Sequence, residues 1–274
     1  MNRIRPLAVL LGVMVLASCD VSQNSIRSIA GPTAGSAVKY FNFGVGDPTV
    51  NFYADTIKES AASTTACSSA VNGSTTDSTC LTTGKESASS GTAYGVAAIG
   101  GGLYGSITPG AHALSAHIVA SVDNGLPIAS TSATLADGKF YSYYLSGIYN
   151  TTAKTVEAFL VEDPLPAIDF NSANVRFVNA ISNSQPMTLY AKSQTTGIEV
   201  PIGPSVAYKS AGAFVPLAND IYDLNTRVAG SSTNVITRTG VSFSASRVYT
   251  ITAYGDITAT TAPKKPALDN TVNR

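Results

Sequence analysis

The chain has no tryptophan, only two histidines and three cysteines in 274 residues, and just 12% charged residues that cancel to a formal net charge of zero. With no excess of one sign there is no strong field to draw in nucleic acid or an acidic surface, so nucleic acid is not an expected partner. His112 and His117 stand five apart in an alternating stretch, which places them on opposite faces of a strand. They cannot share a metal ion, and a two-cysteine metal site at Cys67 and Cys80 would find no nearby third cysteine or histidine to complete it. No Gly-x-Ser-x-Gly elbow, His-Glu-x-x-His pair or Gly-Lys-Ser/Thr phosphate loop occurs. Gly100-Gly101-Gly102 has no strand-to-helix context and reads as a loose turn. Carboxylates are equally thin. Glu157, Glu162, Asp163 and Asp169 gather around one point without the alternating acidic, glycine-containing loop of a calcium site, and Asp220, Asp223 and Asp256 are scattered. No catalytic residue, metal or cofactor follows from these residues, and the expected role is non-enzymatic.

There is also no apolar run of bilayer-spanning length at the start of the chain. Leu7 to Leu16 is ten residues, about half of the roughly 20 that a transmembrane helix needs. Behind Arg3 and Arg5 and ahead of Ala17-Ser18-Cys19, it reads as the core of an export signal covering residues 1–18. Leu16-Ala17-Ser18-Cys19 resembles the lipobox of bacterial lipoproteins, in which the cysteine is diacylated and the signal is cut just before it. A plain secretory signal would give the same apolar run without the lipid. Acylation of Cys19 implies an anchor to a membrane surface, each buried CH₂ contributing about 0.8 kcal/mol. Asp20 resembles an enteric-type signal to stay at the inner membrane; inner and outer membrane both remain open. Residues 19–36 are small and polar and read as a flexible tether. With Cys19 taken by lipid, Cys67 and Cys80 form an even pair in an exported chain and are expected to be disulfide-bonded, a link of on the order of 3 kcal/mol.

What the chain does have is a duplication. Val38-Lys39-Tyr40-Phe41-Asn42 returns as Val175-Arg176-Phe177-Val178-Asn179, and Val50-Asn51-Phe52-Tyr53-Ala54 returns as Met187-Thr188-Leu189-Tyr190-Ala191, both at an offset of 137. Further on, Val96-Ala97 matches Val206-Ala207, Tyr104 matches Phe214 and Leu114 matches Leu224, at an offset of 110. The first copy therefore carries 27 additional residues, placed at about 55–93, where Cys67, Cys80 and a Ser/Thr/Gly-rich stretch lie. Phe140-Tyr141-Ser142-Tyr143 then matches Val248-Tyr249-Thr250-Ile251 at 108. Glu162-Asp163-Pro164-Leu165-Pro166 reads as a linker between domains 37–165 and 166–274. The tail from Thr260 has Pro263, Lys264, Lys265 and Pro266 and no long apolar run, so its last strand is expected to be weak or absent.

Within each copy, short runs rich in Val, Ile, Tyr, Phe and Thr are broken every eight to twelve residues by turn formers, the pattern of an all-β domain. His112, Leu114, Ala116 and Ile118 share one face, as do Tyr222, Leu224, Thr226 and Val228, and these faces are the expected cores. Two half-buried sheets per copy give two tandem β-sandwich domains of immunoglobulin-like shape, with jelly-roll and transthyretin-like sandwiches sharing the same pattern. Tyr141 and Tyr143 face opposite to Tyr144 in one strand. Tyr144 and the loop residue Tyr94 are the candidate surface-binding residues, because exposed aromatics mark contact with sugars or proteins.

Asn174-Val175-Arg176-Phe177-Val178-Asn179-Ala180, preceded by Asp163-Pro164 and followed by Pro186-Met187-Thr188-Leu189-Tyr190, resembles the opening of the domain of unknown function 4397 (DUF4397) family. The first copy resembles it more loosely, with Lys39 for the arginine and Phe43 for the alanine. The resemblance implies an exported bacterial protein, often a lipoprotein with tandem copies, and brings no catalytic residues. The expected role is a cell-envelope scaffold or protein-interaction module, with a glycan- or cell-wall-binding module as the alternative.

Overall fold

The computed structural model describes residues 35–60, 91–98 and 102–274. The signal, Cys19, nearly all of the tether, Cys67, Cys80, most of the insertion and the Gly100-Gly101 pair lie outside the described residues. In the first copy the strands run β1 Ser36–Asn42, β2 Val50–Ala54, β3 Ile57–Lys58, β4 Val96–Ala97, β5 Gly105–Ile107, β6 Gly110–Ile118, β7 Pro127–Leu135, β8 Phe140–Asn150 and β9 Thr155–Glu162. In the second they run β10 Ser172–Asn179, β11 Met187–Ser193, β12 Glu199–Val206, β13 Ser210–Ala211, β14 Val215–Ala218, β15 Asp220–Val228, β16 Ile236–Phe243, β17 Val248–Tyr254 and β18 Ala267–Val272.

Each copy is a two-sheet sandwich, with nine strands among the described residues, and the two copies repeat one topology. One sheet has the order β3-β2-β6-β7 in the first copy and β12-β11-β15-β16 in the second. The other has the order β4-β1-β8-β9 with β5 also on β1, and β13-β10-β17-β18 with β14 also on β10. The first strand of each copy pairs in parallel with the eighth: Val38 lies opposite Tyr141 in the first copy and Val175 opposite Tyr249 in the second. Those four residues keep the sequence offsets of 137 and 108, so the duplication holds at the level of register.

Alternation explains the two cores. Val38, Tyr40, Phe52, Leu114, Ala116, Ile118, Tyr141 and Tyr143 close the first, and Val175, Phe177, Leu189, Leu224, Tyr249 and Ile251 close the second. The faces expected from His112 to Ile118 and from Tyr222 to Val228 are therefore the core faces, with His112 at the rim. Burial of side chains of this size contributes about 1.5–3 kcal/mol each before chain entropy is set against it.

Two expectations are corrected. Alternation predicts half-buried sheets, and the β2 and β11 sheets are so: β11 alternates buried and more exposed positions along its length. The β1 and β10 sheets are covered on both faces, because the second faces of the two sheets pack against each other. Phe41, Phe43, Tyr144, Phe159, Val178 and Ala180 form a third apolar cluster there, distinct from either sandwich core. Buried on both sides, β1 and β10 become near-continuous buried runs. The tail also carries a strand. β18 completes the second sandwich by pairing antiparallel with β17, with Leu268 opposite Ala253. Its turn depends on Gly255, which has φ +114° and whose missing Cβ would lie 2.9 Å from the Lys265 carbonyl oxygen.

Candidate functional site

The seam between the sandwiches holds the largest fully buried charged side chains among the described residues, Lys39 and Arg176, which occupy the same position in the two copies. Each strand places its basic residue on the face turned away from its own core. The Lys39 ammonium crosses to the end of β18, donating to the Val272 carbonyl at 2.6 Å and to Asn273 Oδ1 at 3.1 Å. Arg176 crosses the other way, to the end of β9. Its Nη1 donates to the Glu162 carbonyl at 3.0 Å, its Nη2 to Asp163 Oδ1, and its Nε to Thr250 Oγ1 at 3.0 Å. The repeat extends to the aromatic covers, with Lys39 over the Tyr104 ring at 4.4 Å and Arg176 over Phe214 at 4.8 Å. The result is a pseudo-two-fold exchange, in which each copy sends a cation to the last strand of the other.

The exchange is unequal in charge. Asp163 is 1% exposed, pairs with Arg176, and accepts from Ser142 Oγ and Tyr104 Oη, both at 2.7 Å. Its counterpart is the neutral Asn273, which donates to Thr250 Oγ1 at 2.8 Å. Lys39 therefore meets amide and carbonyl oxygens where Arg176 meets a carboxylate. Burial pushes the Lys39 ammonium down to about 7; Asp163 and Asp269 oppose that shift and Arg176 adds to it.

The flanks of the seam differ as well. On one, Tyr208 Oη lies 2.8 Å from Ser146 Oγ and donates to Glu157 at 3.0 Å, while Lys209 pairs with the same carboxylate at 2.6 Å. On the other, Tyr94 packs edge-on against Tyr254 and its buried Oη meets no described partner.

The two candidate binding tyrosines are thus seam residues. Tyr144 does face away from Tyr141 and Tyr143, yet it is 0% exposed, because the face it turns to is covered by the second sandwich. It stacks on Phe41 and Phe159 at ring centroid separations of 4.6 and 5.0 Å. Tyr94 is half-buried. Neither offers an open aromatic platform.

The two histidines are engaged separately. His112 bonds to Asp55 and the Thr108 carbonyl, both at 2.8 Å; burial lowers its pKa, and these bonds outweigh burial to raise it. His117 stacks on Tyr53 at 4.4 Å on the opposite face, and its repeat partner Arg227 covers Tyr190 at 4.5 Å while holding Glu199 through both terminal nitrogens. The carboxylates around the linker do not converge. Glu157 binds Lys209, Glu162 binds Lys139, Asp163 binds Arg176, and Asp169 accepts from Ser172.

A largely apolar open groove of about 330 Å³ lies on the second sandwich between edge strands β12 and β14, lined by Ile198, Val200, Pro201, Pro216, Leu217 and Tyr222. Pro201, Pro204 and Pro216 stand on those edges and remove backbone donors, so the groove suits an inserted apolar side chain better than an added strand.

Sequence reasoning missed the seam. The available signal was a basic residue flanked by apolar neighbours at one register position of both copies, a pattern an exposed strand face does not need. Compared with known protein families and with curated proteins, the chain matches no family model and no curated sequence, so the likeness to the DUF4397 family rests on the residues of the two copies alone.

Proposed function

We propose that this chain is a non-enzymatic lipoprotein of the bacterial cell envelope, anchored through Cys19 and acting as a scaffold or protein-interaction module. The observation that carries this reading is the seam. Its buried lysine, arginine and aspartate bond from one sandwich to the other, so the charged groups gathered there are spent in holding the two together. A block built this way presents its outer sheets and the β12–β14 groove, and the groove is shaped for an apolar side chain of a protein partner. The glycan-binding alternative loses the tyrosines on which it stood.

The test is fractionation of cells producing the full chain and its Cys19→Ala variant. The unaltered chain is expected with the membranes and the variant in the soluble fraction. Equal distribution overturns the anchor, and saturable turnover by the purified chain in an esterase, glycosidase and peptidase panel overturns the non-enzymatic reading.

A further inference from the structure

Asp47 lies in the loop that follows β1 and is 8% exposed, and no described donor meets either of its carboxylate oxygens in hydrogen-bond geometry. The adjacent Asn42 is fully buried and its Oδ1 is likewise without a donor. A carboxylate out of reach of water that no described donor meets in hydrogen-bond geometry costs several kcal/mol unless it carries its own proton.

The second copy shows what the loop requires. At the offset of 137, Asn42 corresponds to Asn179, Gly44 to Ile181 and Asp47 to Ser184. The loops fold alike: the Asp47 N–H donates to the Gly44 carbonyl at 3.2 Å, and the Ser184 N–H donates to the Ile181 carbonyl at 3.3 Å. In the second copy the Ser184 hydroxyl accepts from Asn179 Nδ2 at 3.1 Å and donates to the Ile181 carbonyl at 3.0 Å, while Asn179 Oδ1 accepts from the Ile181 N–H at 3.0 Å. The site wants a side chain that both accepts and donates. A hydroxyl does so at any pH, whereas a carboxyl does so only with its proton. Gly44 makes the room for it, since a Cβ there would stand 2.5 Å from Asp47 Oδ2.

We infer that Asp47 is held as the neutral carboxylic acid and acts as an acid-tightened latch on this flank of the seam. The loop it closes reaches the second sandwich at two points: Phe43 stacks on Tyr254 with ring centroids 4.4 Å apart, and Gly46 faces the Lys264 side chain. The groups that face the loop are Tyr94 ahead of β4, Tyr254 at the end of β17, and the exposed Lys264 with Asp256 beyond it; Val156 closes the side toward β9. None of them supplies a hydrogen bond to the carboxylate. Burial raises the Asp47 carboxyl to about 8, against smaller opposing effects of the Asn42 amide and the loop backbone. A carboxyl whose folded pKa lies above its unfolded one stabilises fully at low pH and loses that contribution as pH rises toward the folded value.

The test compares the full chain with Asp47→Ser, which restores the residue of the second copy, and Asp47→Asn. Urea unfolding is followed from pH 5 to 7.5. The unfolding constant of the unaltered chain, divided by that of either variant, is expected to rise up to about tenfold per pH unit. Hydrogen exchange at the Val45 and Asp47 amides is expected to quicken with pH beyond its intrinsic rate in the unaltered chain only. A ratio independent of pH overturns the inference. So does a rise in the unfolding midpoint with calcium or magnesium at pH 8 that Asp47→Ser abolishes, which would put a metal ion where the proton is placed. If neither variant folds, carbon-13 titration of the aspartate carboxyls in the unaltered chain decides: one titrating above pH 7 supports the latch, and none overturns it.

Discussion

Replacing Lys39 by methionine removes one charge from the seam and keeps most of the side-chain length. Lys39 is fully buried, and its ammonium is lowered from 10.5 to about 7, chiefly by burial. Between those values the folded chain binds fewer protons at this position than the unfolded chain, so stability from Lys39 rises with pH through the window. It is complete above 10.5 and fully lost below about 7. Each pH unit between the two values is worth about 1.4 kcal/mol, so the whole window spans about 5 kcal/mol as an upper bound. The variant has no such slope. It carries instead a fixed penalty, because the Val272 carbonyl and Asn273 Oδ1 lose their donor, at about 1–3 kcal/mol for each buried group left unpaired. The difference in unfolding free energy, unaltered chain minus Lys39→Met, is expected to grow by up to about 1.4 kcal/mol per pH unit from about pH 7 upward. The fixed penalty sets only where the two curves cross. Urea midpoints at half-unit steps from pH 6 to 10 measure it, with Asp47 and the other groups that do not interact with Lys39 cancelling in the difference. Curves that run parallel across this range would refute the claim that Lys39 is buried without a carboxylate of its own.

Truncating the other cation has a different signature. Arg176→Ala leaves Asp163 buried and unpaired and is expected to cost about 3–5 kcal/mol at neutral pH, a loss that Arg176→Ala with Asp163→Ala partly restores. Tyr144→Ala is expected to cost about 3–5 kcal/mol by opening a cavity among Phe41, Phe43 and Phe159. Tyr144→Phe should stay within about 1 kcal/mol, because the hydroxyl reaches Thr252 only at 3.5 Å. Thermal and urea denaturation check both; a Tyr144→Ala variant of unchanged stability would return that residue to the surface.

The duplicated strands were legible because a sandwich core imposes a two-residue alternation, and the offsets of 137, 110 and 108 survive as strand register. The face of Tyr144 was legible for the same reason, but its exposure was not. Alternation says which side of a sheet a residue takes, and says nothing of what lies against that side. β18 escaped notice because Ala267-Leu268-Asp269-Asn270-Thr271-Val272 contains few apolar residues and follows two prolines; pairing with the buried β17 gives it an order that its own composition does not announce. Asp163 read as linker because Asp-Pro ends strands, whereas its carboxylate is the counter-charge that Arg176 requires. Local sequence registers the turn and is silent on a partner 13 residues away in another sheet.

The departures of the first copy from the second fall where the seam is chemically weakest. Lys39 stands for Arg176, and Asp47 for Ser184. The second copy places a guanidinium and a hydroxyl there, side chains that hydrogen-bond without a change of protonation. Both residues of the first copy do titrate, with opposite sign. Asp47 weakens its flank as pH rises toward about 8, while Lys39 relieves a buried charge from about 7 upward. Near neutrality the two slopes act against each other, so the combined contribution of Asp47 and Lys39 passes through a shallow minimum there. The first sandwich thus brings a lysine and an aspartate to positions of the pseudo-two-fold contact where the second brings an arginine and a serine.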